Sequence, residues 1–263
     1  MSQDENIYLM GLMWADGYVG KRYDIRLELK SPDFEYVRPL LQKYGFSSFP
    51  ERQRYKNDKK FGNTQTQFCI SNVTLNNHLQ NLGYRTKSIA SPTKVLSTIP
   101  KNKHYLWWRG FFDGDGCFYC NGATHTFAIW GSIDQDWSEL KSLLNDLNIK
   151  SVRHEEYRRK NGTHLSSCIA VGVQDDIKTI GKYIYQNRMD IGFRRKYDKY
   201  IECISQPTAR FQKRTSTKKG IYFSIWSGKW ICRKTINKQR IVIGSFDSYQ
   251  AACDAYDLYR PIS

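Results

Sequence analysis

Trp108-Arg109-Gly110-Phe111-Phe112-Asp113-Gly114-Asp115-Gly116 has a counterpart ninety-nine residues upstream, Leu9-Met10-Gly11-Leu12-Met13-Trp14-Ala15-Asp16-Gly17. Both nonamers carry small residues at the third and seventh places, bulky apolar residues at the fourth and fifth, and Asp-Gly at the end. Each reads as an apolar helix that ends in an acid. Gly11 and Ala15 lie four apart, as do Gly110 and Gly114, so each pair shares one helical face. Glycine inside a helix costs about 1 kcal/mol relative to alanine, and close helix-to-helix contact is the natural compensation. Gly17 and Gly116 are expected to close the helices in the left-handed conformation. Asp16 and Asp115 face the negative ends of their helix dipoles, and packing the helices together would juxtapose these like charges. A bound divalent cation relieves both penalties.

On these residues the chain resembles the LAGLIDADG homing endonucleases in their single-chain, two-repeat form. The resemblance implies an α+β fold of two pseudo-symmetric αββαββα repeats packed through the signature helices. It implies that Asp16 and Asp115, with the backbone at Ala15 and Gly114, hold metal ions at the centre of a DNA-cutting site. Mg²⁺ is the implied cofactor, with Mn²⁺ substituting and Ca²⁺ binding without supporting cleavage. The family also places a lysine beside the metals after each repeat's last helix. Gly83-Tyr84-Arg85-Thr86-Lys87-Ser88 and Gly192-Phe193-Arg194-Arg195-Lys196-Tyr197 put Lys87 and Lys196 there, where a cation stabilises charge developing on phosphate. Basic residues after a helix also compensate its dipole, the simpler account of the same pattern. One departure stands out: the sixth place is Asp113 in the second repeat but Trp14 in the first, where the family has an acid or small polar residue. Equal cutting by the two half-sites is therefore in question.

The 263 residues carry a net charge of +16, which points to a polyanionic partner. Seven cysteines, an odd number lying mostly in apolar runs, suit buried thiols in a reducing compartment. Cys117-Phe118-Tyr119-Cys120 is a lone CxxC without a second pair, which argues against zinc. No signal peptide, membrane-spanning run or lipidation motif is visible, so the expected location is cytoplasmic, without a membrane partner. A self-splicing intein is disfavoured, because position 1 holds no nucleophile and no His-Asn pair closes the chain.

Outside the nonamers the order of elements repeats. Residues 23–30 alternate as a strand, residues 31–44 read as a helix with Ser31 as cap and Pro32 in its first turn, and residues 64–71 form another strand. A helix over 74–82 closes the first repeat, taken as residues 1–100. In the second, residues 101–204, two strands are expected within 118–131, an amphipathic helix over 134–147, a hairpin turning at Asn161-Gly162, and a helix over 175–186. Family members lay such strands in the major groove. The candidate DNA contacts are Arg22, Arg26, Glu28, Arg52, Arg54, Gln65, Gln67, His125, Arg153 and Arg158.

Residues 205–219 have five basic residues and no acids, and read as a linker able to track phosphates. Three short strands and an alanine-rich helix follow in residues 220–263. Trp230, Gly244-Ser245-Phe246, Ala251-Ala252 and Ala255-Tyr256-Asp257 resemble the AP2 DNA-binding domain, which lays its sheet in the major groove. Trp226, Lys229, Arg233, Lys234 and Arg240 are its candidate contacts. The expected whole is a monomeric, metal-dependent nuclease on double-stranded DNA that recognises a long non-palindromic site and leaves short 3′ overhangs. A rival of another class keeps the fold without cutting, as an intron maturase or a transcription regulator. A zinc-dependent deaminase lacks its His/Cys ligand set.

Overall fold

The computed structural model describes residues 3–48, 55–56, 59–60, 65–121, 124–158, 165–186, 190–206, 218–224, 227–236 and 239–259. The side chains of residues 31, 32, 55, 56, 59, 60, 65, 158, 239 and 240 are outside the described set. The chain forms two compact units, Met1–Thr208 and Ala209–Ser263.

The two nonamers form the ends of α1 (Gln3–Asp16) and α5 (His104–Asp115). Asp4 and Glu5 favour the start of α1 by facing the positive end of its dipole. Both helices are buried through their second halves up to the last two residues: Leu12, Met13 and Trp14 are buried in one, Phe111, Phe112 and Asp113 in the other, while Asp16 and Asp115 reach the open end. Helices apolar on every side belong in the middle of a structure. They pack backbone to backbone. A Cβ on Gly11 would lie 1.9 Å from the Trp107 carbonyl oxygen, and one on Gly110 would lie 2.0 Å from that of Tyr8.

After α1 come β1 (Gly17–Val19), β2 (Asp24–Lys30), α2 (Ser31–Lys43), β3 (Ser47–Ser48), a small hairpin of β4 (Tyr55–Lys56) and β5 (Lys59–Lys60), then β6 (Gln65–Ser71) and α3 (Val73–Asn81). A short α4 (Thr93–Leu96) leads to α5, and the pattern restarts. It runs β7 (Gly116–Asn121), β8 (Thr124–Ser132), α6 (Ser138–Asp146), β9 (Val152–Arg158), β10 (Leu165–Val171) and α7 (Gln174–Tyr185), followed by α8 (Arg194–Ser205). The first sheet has the order β1-β2-β6-β3 and the second β7-β8-β10-β9, which is the same topology twice. All pairings in both are antiparallel. The fold is α+β, with each sheet turning its alternate residues onto the central helices. Ile25, Leu27 and Leu29 of β2 are buried while Arg26, Glu28 and Lys30 are exposed, the period-2 pattern of a half-buried strand.

Several local expectations change. Gly17 and Gly116 are not left-handed; each begins a strand, and Gly116 is extended at φ −88°, ψ 161°. Helix runs straight into strand because the glycine must lie flat against the last turn, where a Cβ on Gly116 would sit 2.0 Å from the Phe112 ring. The cap of α2 is Lys30 rather than Ser31. Helix α6 starts at Ser138, with Trp137 tied by its indole N–H to the Ser167 hydroxyl at 2.9 Å. Asn72 caps α3, accepting from the Leu75 N–H at 2.9 Å. Asn72→Ala is expected to lower stability by about 1 kcal/mol in denaturant titration.

The second unit contains β11 (Ile221–Ser224), β12 (Lys229–Ile236), β13 (Gln239–Phe246) and α9 (Tyr249–Leu258), with strand order β11-β12-β13. Ser248 caps α9 through the Ala251 N–H at 3.1 Å. Its core is small: Ile221, Cys232 and Ala252, edged by Trp230 between Phe223 and Tyr249. Among the described residues no helix is long and apolar enough to cross a membrane.

Candidate active site at the ends of two buried helices

Because α1 and α5 touch through their small residues, their C-terminal acids arrive together. A Cβ on Gly114 would lie 2.3 Å from that of Ala15 and 3.0 Å from an Asp16 carboxylate oxygen. Nothing larger than glycine fits there without moving the two acids apart. Burial, then repulsion from Asp16, pushes the Asp115 carboxyl up to about 7. Burial raises Asp16 as well, against the lowering effect of Lys87 and Lys196. Among the described residues no cluster of three or more His, Cys, Asp or Glu forms a metal cage. The donor set is two carboxylates and nearby backbone carbonyls. Two acids held together at a cost that a cation would remove, with oxygen donors only, fit a hard divalent ion.

Each helix end has a lysine. Lys87 donates to the Met13 carbonyl at 3.3 Å and to the Ala15 carbonyl, and burial lowers it to about 8 while Asp115 and Asp16 oppose that shift. Lys196 donates to the Gly116 carbonyl across the Phe112 ring, and is also lowered, first by burial and then by Arg195. Both therefore sit over helix ends as well as beside the acids. The Ala15 carbonyl, a candidate metal donor, is engaged by Lys87.

The departure at Trp14 has a structural explanation. In the second repeat Asp113 accepts from the Phe193 N–H at 2.8 Å and the Tyr8 hydroxyl at 2.9 Å, which fixes the turn at Gly192 that carries Lys196. In the first repeat Trp14 packs edge-on against Tyr84 at 5.1 Å and lies 3.6 Å from where a Gly83 Cβ would be. Tyr84 then donates to the Met10 carbonyl at 2.8 Å. Gly83 and Gly192 have the same left-handed φ, 96° and 97°. One turn is held by hydrogen bonds and the other by an aromatic wedge, and each delivers its lysine. Burial raises Asp113 to about 6, opposed by the Phe193 N–H and by Arg109. Arg109 is itself fully buried, with its guanidinium over the Tyr185 ring at 4.9 Å. Arg109→Met would leave Asp113 buried without its cation and is expected to destabilise the protein by roughly 3 kcal/mol or more, measured in urea.

Of the residues expected to meet DNA, Arg26 and Glu28 stand exposed on the face of the first sheet away from the helices, and Gln67 pairs with Glu28 across β6. Arg22 is exposed in the turn before β2, and Arg153 is exposed on β9, paired with Glu155 at 2.9 Å. His125 is corrected. It is 3% exposed and shares the helix-facing side of β8 with Phe127 and Ile129. Arg52, Arg54 and Trp226 lie outside the described residues, as do the side chains of Gln65, Arg158 and Arg240. Lys229 pairs with Asp247 at 3.3 Å, and Arg233 stacks over Tyr222 at 4.5 Å. Lys234 turns to the helix instead, donating to the Tyr256 and Tyr259 carbonyls that end α9. Cys117 and Cys120, three apart on a strand, point to opposite faces and cannot chelate together.

Sequence reading missed other parts. A cavity of about 460 Å³ beside Lys87 is lined by Lys21, Arg22, Arg26 and Arg85, with Tyr18 and Tyr84. Its basic residues come from two stretches some sixty residues apart, 21–26 and 85–87, which no local pattern joins. Arg195 makes a two-point ion pair with the buried Asp33, joining the two repeats. Helix α8 was not among the expected elements, although Tyr197, Tyr200 and Ile204 keep one helical face.

No protein-family model matches the chain, and no curated protein matches it. Among solved structures, the homing endonuclease I-WcaI bound to its DNA recognition sequence is similar at 17% identity and a TM-score of 0.48, over 76% of this chain and 86% of that one. I-DmoI in complex with DNA and Mn is similar at 15% identity and 0.39, over 69% and 96%. Full-length DUF199/WhiA from Thermatoga maritima is similar at 14% identity and 0.41, over 76% and 66%.

Proposed function

We propose that this chain is a LAGLIDADG-type homing endonuclease that cuts both strands of a long, non-palindromic DNA site, acting as a monomer. The observation that carries the reading is the pair Asp16 and Asp115, brought together at the open ends of two packed helices where two repeats of one topology meet, with Lys87 and Lys196 over those helix ends. Mg²⁺ would be held by these carboxylates with the Gly114 carbonyl, and with that of Ala15 once Lys87 releases it, and would supply Lewis-acid polarisation of a phosphodiester and of water.

The rest is done by the protein. Lys87 and Lys196 direct N–H donors at the phosphate and stabilise the negative charge that builds on its oxygens. Lys87, lowered to about 8, keeps a proton at neutral pH that is easily given up. The basic cavity lined by Lys21, Arg22, Arg26 and Arg85 takes the flanking phosphates. Arg26, Glu28 and Gln67 read base edges, and the AP2-like second unit adds contacts through Lys229, Arg233 and Arg240.

A second reading is a DNA-binding protein that does not cut. What favours it is that Lys87 and Lys196 already serve helix-end carbonyls. A randomised duplex library incubated with Mg²⁺ or with Ca²⁺ separates the two. Discrete double-strand cuts with Mg²⁺, absent with Ca²⁺ and in Asp16→Asn and Asp115→Asn, support the nuclease. Tight, selective binding with no cutting in Mg²⁺ or Mn²⁺ overturns it.

A further inference from the structure

The two sheets are built on one plan, so hydrogen-bond register makes their open faces comparable residue by residue. Gly17, just after the first acid, pairs with Leu27, and Gly116, just after the second, pairs with Ile129. From that anchor Arg26 corresponds to Ala128, Glu28 to Trp130 and Lys30 to Ser132. On the neighbouring strand Gln67, opposite Glu28, corresponds to Cys168, opposite Trp130. Cys69, opposite Arg26, corresponds to Ala170, opposite Ala128.

The chemistry at these matched positions is unlike. The first sheet presents a guanidinium, a carboxylate, an ammonium and an amide, with the Arg26 side chain 49% exposed beside Asp24. In the second sheet Ala128, Cys168 and Ala170 are 1–3% exposed and close into a small apolar cluster with Cys117, separate from the main core. Trp130 stands beside it at 38% exposed, with its ring 5.0 Å from that of Tyr157. On the outer strand Arg153 is paired with Glu155.

Base identity in the major groove is read by matched donors and acceptors: arginine on guanine, glutamine on adenine, a carboxylate on cytosine. The first sheet carries all three. The second offers at its matched positions the hydroxyl of Ser166, which suits several bases, and an aromatic surface that suits sugar and thymine methyl groups, while the Ser132 hydroxyl is donated to the Ser88 carbonyl. On the endonuclease reading above, we infer that base-pair selection is concentrated in the half-site held by the first sheet. The second sheet holds its half chiefly by apolar contact on its two inner strands, with Arg153 and Glu155 confined to the outer strand, and tolerates substitution opposite those inner strands. Arg26, Glu28 and Gln67 are the specificity-determining residues.

The test starts from the duplex recovered from the randomised library with the full chain. Each base pair is then changed singly and binding is measured in Ca²⁺. Expected is a one-sided profile, with losses of roughly 10-fold or more per change in one half and below about 3-fold in the other. Arg26→Ala and Gln67→Ala should each flatten the selective half. Trp130→Ala should weaken every duplex by a similar factor and leave the profile unchanged. Arg233→Ala identifies base pairs read by the second unit, which are set aside. Equal losses in both halves, or selectivity erased by Trp130→Ala and not by Arg26→Ala, overturn the inference while leaving a selective DNA-binding protein. No selective duplex at all overturns it together with the reading it rests on.

Discussion

Asp115→Asn should abolish double-strand cleavage, by roughly a thousandfold or more, and at the same time make the metal-free protein more stable. The second effect follows from the first residue's environment. The unfolded carboxyl titrates near its ordinary 3.8 and the folded one near about 7, chiefly because it is buried and secondly because Asp16 lies beside it. Between those values the native state holds a proton that the unfolded state has lost, so stability declines as pH rises from about 4 to about 7. Above that window the full penalty is present, on the order of a few kcal/mol. Asparagine carries no charge and removes it. Melting temperature against pH in chelator-treated buffer should therefore fall across the window for the parent and stay flatter for the variant. The variant should be higher at pH 8 by roughly 5 °C. Added Mg²⁺ should raise the parent's melting temperature and leave the variant's nearly unchanged. A variant less stable than its parent at pH 8 would show that Asp115 is held by stabilising partners instead of at a cost.

Gly11→Ala and Gly110→Ala are expected to be the most damaging single-methyl changes in the protein. The added Cβ would sit 1.9 Å from the Trp107 carbonyl oxygen in one case and 2.0 Å from that of Tyr8 in the other. Both obstacles are backbone in the facing helix, so no rotamer change relieves them and the helices must separate. Separation would also loosen the packing around Trp107 and Tyr8, which are fully buried. Overpacking of this kind costs about 3 kcal/mol or more, equivalent to roughly 10 °C in melting temperature for a unit of this size. The small gain in helix propensity from glycine to alanine, about 1 kcal/mol, is outweighed. Gly172→Ala is the control, because its Cβ would have no neighbour closer than 3.7 Å. Urea denaturation of the three variants decides the matter. A loss below 1 kcal/mol at Gly11 and Gly110 would mean that the helices do not meet as closely as described.

The repeated nonamers, the alternation in β2 and the amphipathic closing helices were legible because each is a local pattern with a fixed period. From them the chain itself determined an α+β fold with one topology used twice, two central helices joined through small residues, and two acids at their ends. What lay beyond the sequence depended on register and on distant partners. His125 went to the inner face because strand side chains alternate, and a one-residue difference across the β7–β8 turn reverses every assignment on β8. Lys234 was claimed by the carbonyls ending α9. Trp14 looked like a departure until Tyr84 and Gly83 were seen against it, since equivalence between an aromatic wedge and a hydrogen-bonded carboxylate is invisible in residue type. The closed face of the second sheet was hidden for a related reason. Ala128, Cys168 and Ala170 are apolar like their inward neighbours Phe127, Ile129 and Ile169, so the strands read as continuous apolar runs without a face. Only the pairing of β8 with β10, strands separated by a helix and another strand, gathered those small side chains into one surface. Periodicity fixes what a single element does; which elements meet is decided by tertiary packing.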